Sequence, residues 1–338
     1  MSDYNAPLKD MQFVLTELAG MAQVSALPGY AEATPDLIEA ILEESGKFSR
    51  DVLAPLNFTG DQEGAQWADK AVTMPKGFKE AYAQFVDNGW NAVSGNPEFG
   101  GQGLPKVVSA VVQEMWQSAN MAFSLCPMLT MGGIEALELY GSEEQKATYL
   151  HHMVSGRWTG TMNLTEPQAG SDLAAVRMRA VPEGDGTYKL FGQKIFITYG
   201  DHDMAENTIH LVLARTPDAP AGVKGISLFV VPKFIVNADG TLGARNDVHS
   251  VSIEHKLGIH ASPTCVMAYG EHGGAVGTLI GKENDGLKYM FVMMNAARYA
   301  VGLEGLALGE RAYQQALGFA RERVQSRAIE GSAGSVPI

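Results

Sequence analysis

The first recurrent pattern of apolar positions opens at Thr34-Pro35-Asp36, where a capping hydroxyl, a proline suited to the first helical position and an early acid coincide. Leu37, Ile38, Ile41, Leu42, Phe48 and Val52 follow at helical spacing and predict an amphipathic helix. A second such segment starts at Pro75, with Phe78, Tyr82, Phe85 and Val86 on one face and Gly89 as its stop. Ser142 and Gln145 make a capping-box pair ahead of Leu150, Met153 and Val154. Residues 35–156 therefore read as a helical domain behind an amino-terminal extension, residues 1–34.

Beyond Gly156 the spacing changes. RWTGTMNLT, TYKLFG, KIFITYG, NTIHLVLART, GISLFVVPKF, HSVSIEHKLG and TCVMAYG are short, rich in β-branched and aromatic residues, and bounded by turn formers. They predict a separate, mostly antiparallel β domain over residues 157–281. From Gly286 helical spacing returns through Leu287, Met290, Phe291, Met294, Val301 and Leu306, and can run to about Arg323, a rod longer than ~50 Å at ~1.5 Å per residue. Gly302, Gly305 and Gly309 along it invite close approach of a neighbour, so residues 282–338 read as the first part of a helical bundle. The ending GSAGSVPI reads as loop. Either this helix packs on a partner or the rest of its bundle has been cut away, and the second is the expectation.

A chain of 338 residues exceeds the size at which single cores stop growing, so more than one domain is expected. Its 46% hydrophobic and 19% charged residues belong to the globular class. The net charge of −13 works against a phosphate-neutralising interface with nucleic acid or an anionic membrane. Cys126 and Cys265 form no metal-spaced cluster and read as structural thiols of a reduced protein. The start of the chain lacks the pattern of a secretory signal, and no apolar run reaches the ~18 residues of a membrane span. The expected address is the cytoplasm.

The segment TMNLTEPQAGSDL, residues 161–173, combines a strand end, a Thr-Glu-Pro turn and a glycine that lets backbone approach a ligand. Alone it is a polar loop. It stands, however, in company with FGGQG at 99–103, YGSEEQKATYL at 140–150, FGQKIFITYG at 191–200, KLGIHASPT at 256–264 and LIGKENDGLKYM at 279–290, followed by the Arg298 helix ending in ARERVQ. In this order and spacing the segments resemble the acyl-CoA dehydrogenase family over essentially the whole chain after residue 35. The opening YNAPLKDMQFVLTEL is similar to the longer branch that includes 3-methylmercaptopropionyl-CoA dehydrogenases.

The resemblance implies an α+β architecture: an amino-terminal helical domain, a central β-barrel-like domain and the start of a carboxy-terminal four-helix bundle, with FAD between the last two. It implies that Leu164 and Thr165 meet the isoalloxazine ring, with Thr165 donating to it. Phe196 stands where many relatives have tryptophan, and Thr198 lies near N5. Gly170 and Ser171 match a contact to the cofactor diphosphate or the pantetheine arm. Arg298 is placed near the substrate, and Arg323 reaches the FAD of a neighbouring subunit, which makes a homo-oligomer. The plainer readings are a core phenylalanine at 196, an ordinary turn at Ser171-Asp172, and solvated charges at Arg298 and Arg323.

The implied reaction is α,β-dehydrogenation of an acyl-CoA thioester, with an electron-transferring flavoprotein as acceptor. It needs a carboxylate beside the α carbon. A minority of relatives place that glutamate where this chain has Ala297, and the majority position falls beyond Ile338, so the base is expected outside this chain and the chain alone is expected to be inactive. Two other readings stay open: a flavin-binding or assembly module without chemistry of its own, and an oxidase that hands electrons to oxygen. The acidic charge disfavours the DNA binding of one branch of the superfamily.

Overall fold

The computed structural model describes residues 4–327 and 335–337. The amino-terminal extension holds two short helices, α1 (Leu8–Phe13) and α2 (Met21–Ser25), which helical periodicity alone does not reveal. α3 (Pro35–Phe48) starts where the sequence predicts, with the Thr34 hydroxyl accepting from the Leu37 N–H at 3.3 Å. α4 (Ala54–Glu63) leads into a small hairpin, β1 (Gln66–Ala68) and β2 (Ala71–Thr73). α5 (Phe78–Asp87) ends at Gly89, whose φ of 70° is the left-handed turn that favours glycine. α6 (Lys106–Ala119), α7 (Met121–Tyr140) and α8 (Glu143–Val154) complete the helical domain, and both bonds of the Ser142–Gln145 capping box are made. An aromatic nest of Phe78, Tyr82, Phe85, Trp116 and Phe123 fills its centre, with Phe85 edge-on to Trp116 at 4.9 Å.

The β domain is one curled sheet of eight strands. They are β3 (Trp158–Asn163), β4 (Arg179–Pro182), β5 (Thr187–Thr198), β6 (Asn207–Ala214), β7 (Ser227–Pro232), and, after the side hairpin β8 (Phe234–Val236) and β9 (Leu242–Arg245), β10 (Val248–Ile253), β11 (Thr264–Tyr269) and β12 (Ala275–Ile280). The order is β10-β11-β5-β12-β7-β6-β3, with β4 beside β5. Pairing is antiparallel except between β3 and β6, which run parallel. TYKLFG and KIFITYG, read from sequence as two strands, are one continuous β5, and β12 was not foreseen. Every residue of β6 and β7 is buried, as expected for strands covered on both faces.

α9 (Gly286–Glu322) runs for 37 residues and packs along α6 and α7. The Gln117 amide and the Ser118 hydroxyl donate to the Ala300 and Ala307 carbonyls, and Gly132 of α7 lies so close to α9 that a Cβ there would stand 3.1 Å from Met293. After α9, β13 (Val324–Arg327) pairs with β14 (Ser335–Pro337). The loop expected for the GSAGSVPI ending is therefore corrected at 335–337, where backbone pairing with β13 draws the chain into a strand; 331–334 and 338 lie outside the described residues. No helix of the described residues is long and apolar enough to cross a membrane.

Candidate functional site

β3 and β5 finish side by side. The Thr161 hydroxyl donates to the Thr198 carbonyl at 2.7 Å, and the Ile195 N–H donates to the Thr165 carbonyl at 2.9 Å. The Leu164-Thr165 segment leaving β3 therefore lies along the last turn of residues in β5, and Leu164, Thr165, Phe196 and Thr198 come together at one end of the sheet. Leu164 packs into the core cluster that also holds Met290 and Met293 of α9. Thr165 and Thr198 are half-buried, and neither side-chain hydroxyl has a protein partner among the described residues.

Phe196 owes its position to a β-bulge. Cys265 of β11 pairs with Ile197, but Met267 pairs with Lys194, so three steps along β5 face two along β11. Phe196 sits in the bulge with φ at 59°, a left-handed conformation that costs a side-chain-bearing residue about 1–2 kcal/mol. Its ring is 58% exposed, which removes the plain reading of a core aromatic. A strained backbone that holds an apolar ring out toward solvent is a feature of ligand sites.

Behind these residues a buried ion pair ties the segment together. The Lys194 ammonium is 2.9 Å from Glu166 Oε1 and donates to the Leu164 carbonyl at 2.8 Å. Glu166 also accepts the N–H groups of Arg177 and Met178 and the Gln168 amide. Burial alone would raise the Glu166 carboxyl, but Lys194 and the two backbone donors outweigh it and hold the group below its ordinary range. Burial pushes Lys194 down to about 8 against the pull of Glu166. The pair lies within two quoted motifs, yet an acid and a lysine 28 positions apart carry no pairing signal in sequence.

Gly170 folds back over Thr165, where a Cβ would meet the threonine methyl at 3.8 Å. Ser171 is exposed beside it, while Asp172 acts as a turn residue whose carboxylate accepts the Ala174 N–H at 3.0 Å. Arg215 locks this loop to its neighbour by donating to the carbonyls of Ala174, Val176, Pro220 and Gly222. That role was also missed in sequence, because an arginine bonded only to main chain has no partner residue type to betray it.

Beneath the strand ends, the Tyr269 hydroxyl donates to Asn163 Oδ1 at 2.8 Å and lies 3.3 Å from His210 Nδ1. His202 Nε2 lies 3.0 Å from the Thr159 hydroxyl, and its Nδ1 accepts the Met204 N–H. Burial, with Lys233 adding to it, drives both histidines down to about 3. Tyr199, another left-handed residue at φ 50°, pins the end of β5 to the helical domain by donating to the Ala122 carbonyl at 2.6 Å.

The remaining candidates stand apart. Arg298 is exposed on α9, bonded to Asn295 Oδ1 and lying over the Phe291 ring, and no contact joins it to the Thr165–Phe196 cluster. Arg323 is exposed at the end of α9. Of the two acids on the 164–173 segment, Glu166 has both oxygens engaged and Asp172 caps its turn, so neither is a free base. A cleft of about 410 Å³ opens between α6, α7 and α9, with Met128, Met131, Ala296 and Ala300 among its walls.

Two domain models of one family match the chain: acyl-CoA dehydrogenase, N-terminal domain, over residues 38–157, and acyl-CoA dehydrogenase, middle domain, over residues 161–271. The chain is 55% identical over 336 residues to 3-methylmercaptopropionyl-CoA dehydrogenase of Ruegeria pomeroyi, covering 99% of this chain and 57% of that protein. It thus spans little more than half the length of the curated relatives it matches first. Its fold is similar to Caenorhabditis elegans ACDH-11 in complex with C11-CoA (TM-score 0.78, 21% identity, 98% of this chain and 57% of that one). It is also similar to an acyl-CoA dehydrogenase complexed with FAD from Bacillus anthracis (TM-score 0.70, 24% identity, 88% of this chain and 46% of that one). Through its amino-terminal and middle domains, the chain belongs to the acyl-CoA dehydrogenase family.

Proposed function

We propose that this chain supplies the helical domain and the FAD-binding β domain of an enzyme that dehydrogenates an acyl-CoA thioester between its α and β carbons. The observation that carries the reading is Phe196, a strained and exposed residue on the strand end where Ile195 bonds to the Thr165 backbone and Thr198 follows, both threonines with unengaged hydroxyls. A flat, polar-edged ring system fits such a wall and such donors. Leu164 and Phe196 would flank the isoalloxazine, Thr165 and Thr198 would donate to its edge, and Gly170 and Ser171 would approach the diphosphate or the pantetheine arm. When bound, FAD accepts the hydride that leaves the β carbon.

The chain's own residues bind, orient and exclude water. Leu164, packed into the core, would form an apolar floor, and the methionine and alanine side of the α6–α7–α9 cleft, which Lys106, Gln113 and Glu135 also line, would take an acyl chain. Arg298 would contribute to the substrate side, and Arg323 would reach the cofactor of a second subunit in a homo-oligomer. The α-proton acceptor is assigned to a glutamate outside this chain, since Ala297 carries none and Glu166 is engaged. An electron-transferring flavoprotein is the assigned acceptor on family resemblance, and the cytoplasm is the assigned compartment from the sequence pattern. The divisions at 156 and 281 are kept as domain boundaries. The engaged state of Glu166 favours one second reading, a flavin-holding module without chemistry of its own.

Anaerobic titration with acyl-CoA, run on a complete form that includes the assigned glutamate and the rest of the bundle, separates these, since this chain alone is expected to be inactive on either reading. A yellow protein bleached by the thioester supports the dehydrogenase, and one that is yellow but not bleached supports the module. A protein that takes up no flavin at all sinks both.

A further inference from the structure

We infer that the buried Lys194–Glu166 pair is a positioning device, retained to hold the Thr165 and Phe196 walls at a set angle for the ligand rather than to stabilise the fold; this rests on the flavin reading above. Lys194 and Glu166 are 0% and 4% exposed, so water cannot replace either partner. A buried ion pair is an inefficient stabiliser, since desolvation offsets its attraction and a well-packed apolar pair of similar volume commonly serves as well. Its bonds are directional, however, and their end points form a pattern. Lys194 lies two residues before Phe196, at the far side of the bulge, and donates to the Leu164 carbonyl, one residue before Thr165. Glu166, one residue after Thr165, gathers the N–H groups of Arg177 and Met178 where the loop returns to the sheet, and the Gln168 amide within the loop.

Four bonds thus join the residues on either side of Thr165 to the β5 bulge and to the far end of the 166–178 loop that carries Gly170 and Ser171, and a fifth, from the Gln168 amide, lies within the loop. An apolar pair fills the same space without any of them. Lys194 and Glu166 are buried in protein while Phe196 is exposed, so the pair acts through the residues it holds.

The test is the double variant Glu166→Leu/Lys194→Met beside Glu166→Gln, measured in the FAD-loaded protein for thermal midpoint, FAD Kd and flavin absorption band. The expected result is a double variant that still unfolds cooperatively, at a midpoint lowered because the Arg177 and Met178 N–H groups lose their acceptor, with FAD Kd raised at least tenfold and the flavin band shifted. Glu166→Gln, which keeps shape and loses one acceptor, is expected to raise Kd in the same direction. Wild-type Kd and spectrum in either folded variant overturn the proposal, and a double variant that fails to fold shows that the pair is kept for stability. Should this chain alone take up no FAD, titration of the complete form decides the flavin reading separately. Limited proteolysis between 166 and 178 then decides the positioning claim, which requires faster cleavage there in a folded double variant whose core strands stay protected.

Discussion

Phe196 offers a direct measurement of strain held at the site. Replacing it by alanine removes a ring that is 58% exposed. Full burial of such a side chain is worth about 1.5–3 kcal/mol, so the covered part amounts to roughly 1 kcal/mol. Alanine keeps the left-handed backbone at φ 59° and its cost, and the variant should be destabilised by about 1 kcal/mol. Glycine loses the same contact but adopts φ 59° freely, which returns about 1–2 kcal/mol, less roughly 0.5–1 kcal/mol for the freedom it gains in the unfolded chain. The glycine variant should therefore exceed the alanine variant by about 0.5–1 kcal/mol and lie near the wild type. Denaturant midpoints of the three flavin-free proteins read this, and FAD affinity, expected to fall about tenfold in both variants, reads the loss of the wall. An alanine variant as stable as the glycine variant would show that no strain is stored at position 196, and undiminished FAD affinity would refute the wall itself.

Thr165→Val and Thr198→Val preserve shape and delete a hydroxyl that has no protein partner, so flavin-free stability should be unchanged within ~0.5 kcal/mol. In a complete form that carries the assigned glutamate, flavin reduction by substrate should slow by the equivalent of about 1–3 kcal/mol in each, which stopped-flow bleaching will reveal. Stability should fall in acid. His202 and His210 are held neutral with folded values near 3, while the unfolded chain takes up their protons below about 6.5. Each histidine then removes about 1.4 kcal/mol per pH unit between those limits and nothing above them. Denaturant midpoints at pH 7, 5.5 and 4.5 should follow that slope, and His210→Asn should flatten it by one proton. Arg215→Lys cannot reach four carbonyls, so the 217–224 loop should become the first site of proteolytic nicking while the core strands stay protected from hydrogen exchange.

Local chemistry determined much of this chain in sequence. Thr34-Pro35, Ser142–Gln145 and Gly89 mark helix ends because capping groups and left-handed glycines act within one turn of where they stand. The span of α9 was legible from apolar spacing, and the motif residues Leu164, Thr165, Phe196 and Thr198 were legible from family resemblance. Short apolar strands such as β12, and the brief helices of the extension, lack the length for period to show.

What tertiary structure alone decided is how those motif residues meet. Phe196 lies in a strand pattern that reads as core, and only the mismatch of register between β5 and β11 turns it outward. Lys194 and Glu166 meet because two strands from different parts of the chain end together, and Arg298 stands apart because α9 presents it on the opposite side from its packed face. Register and strand-end placement arise from long-range pairing, and long-range pairing leaves no mark on the residues next to one another in the chain.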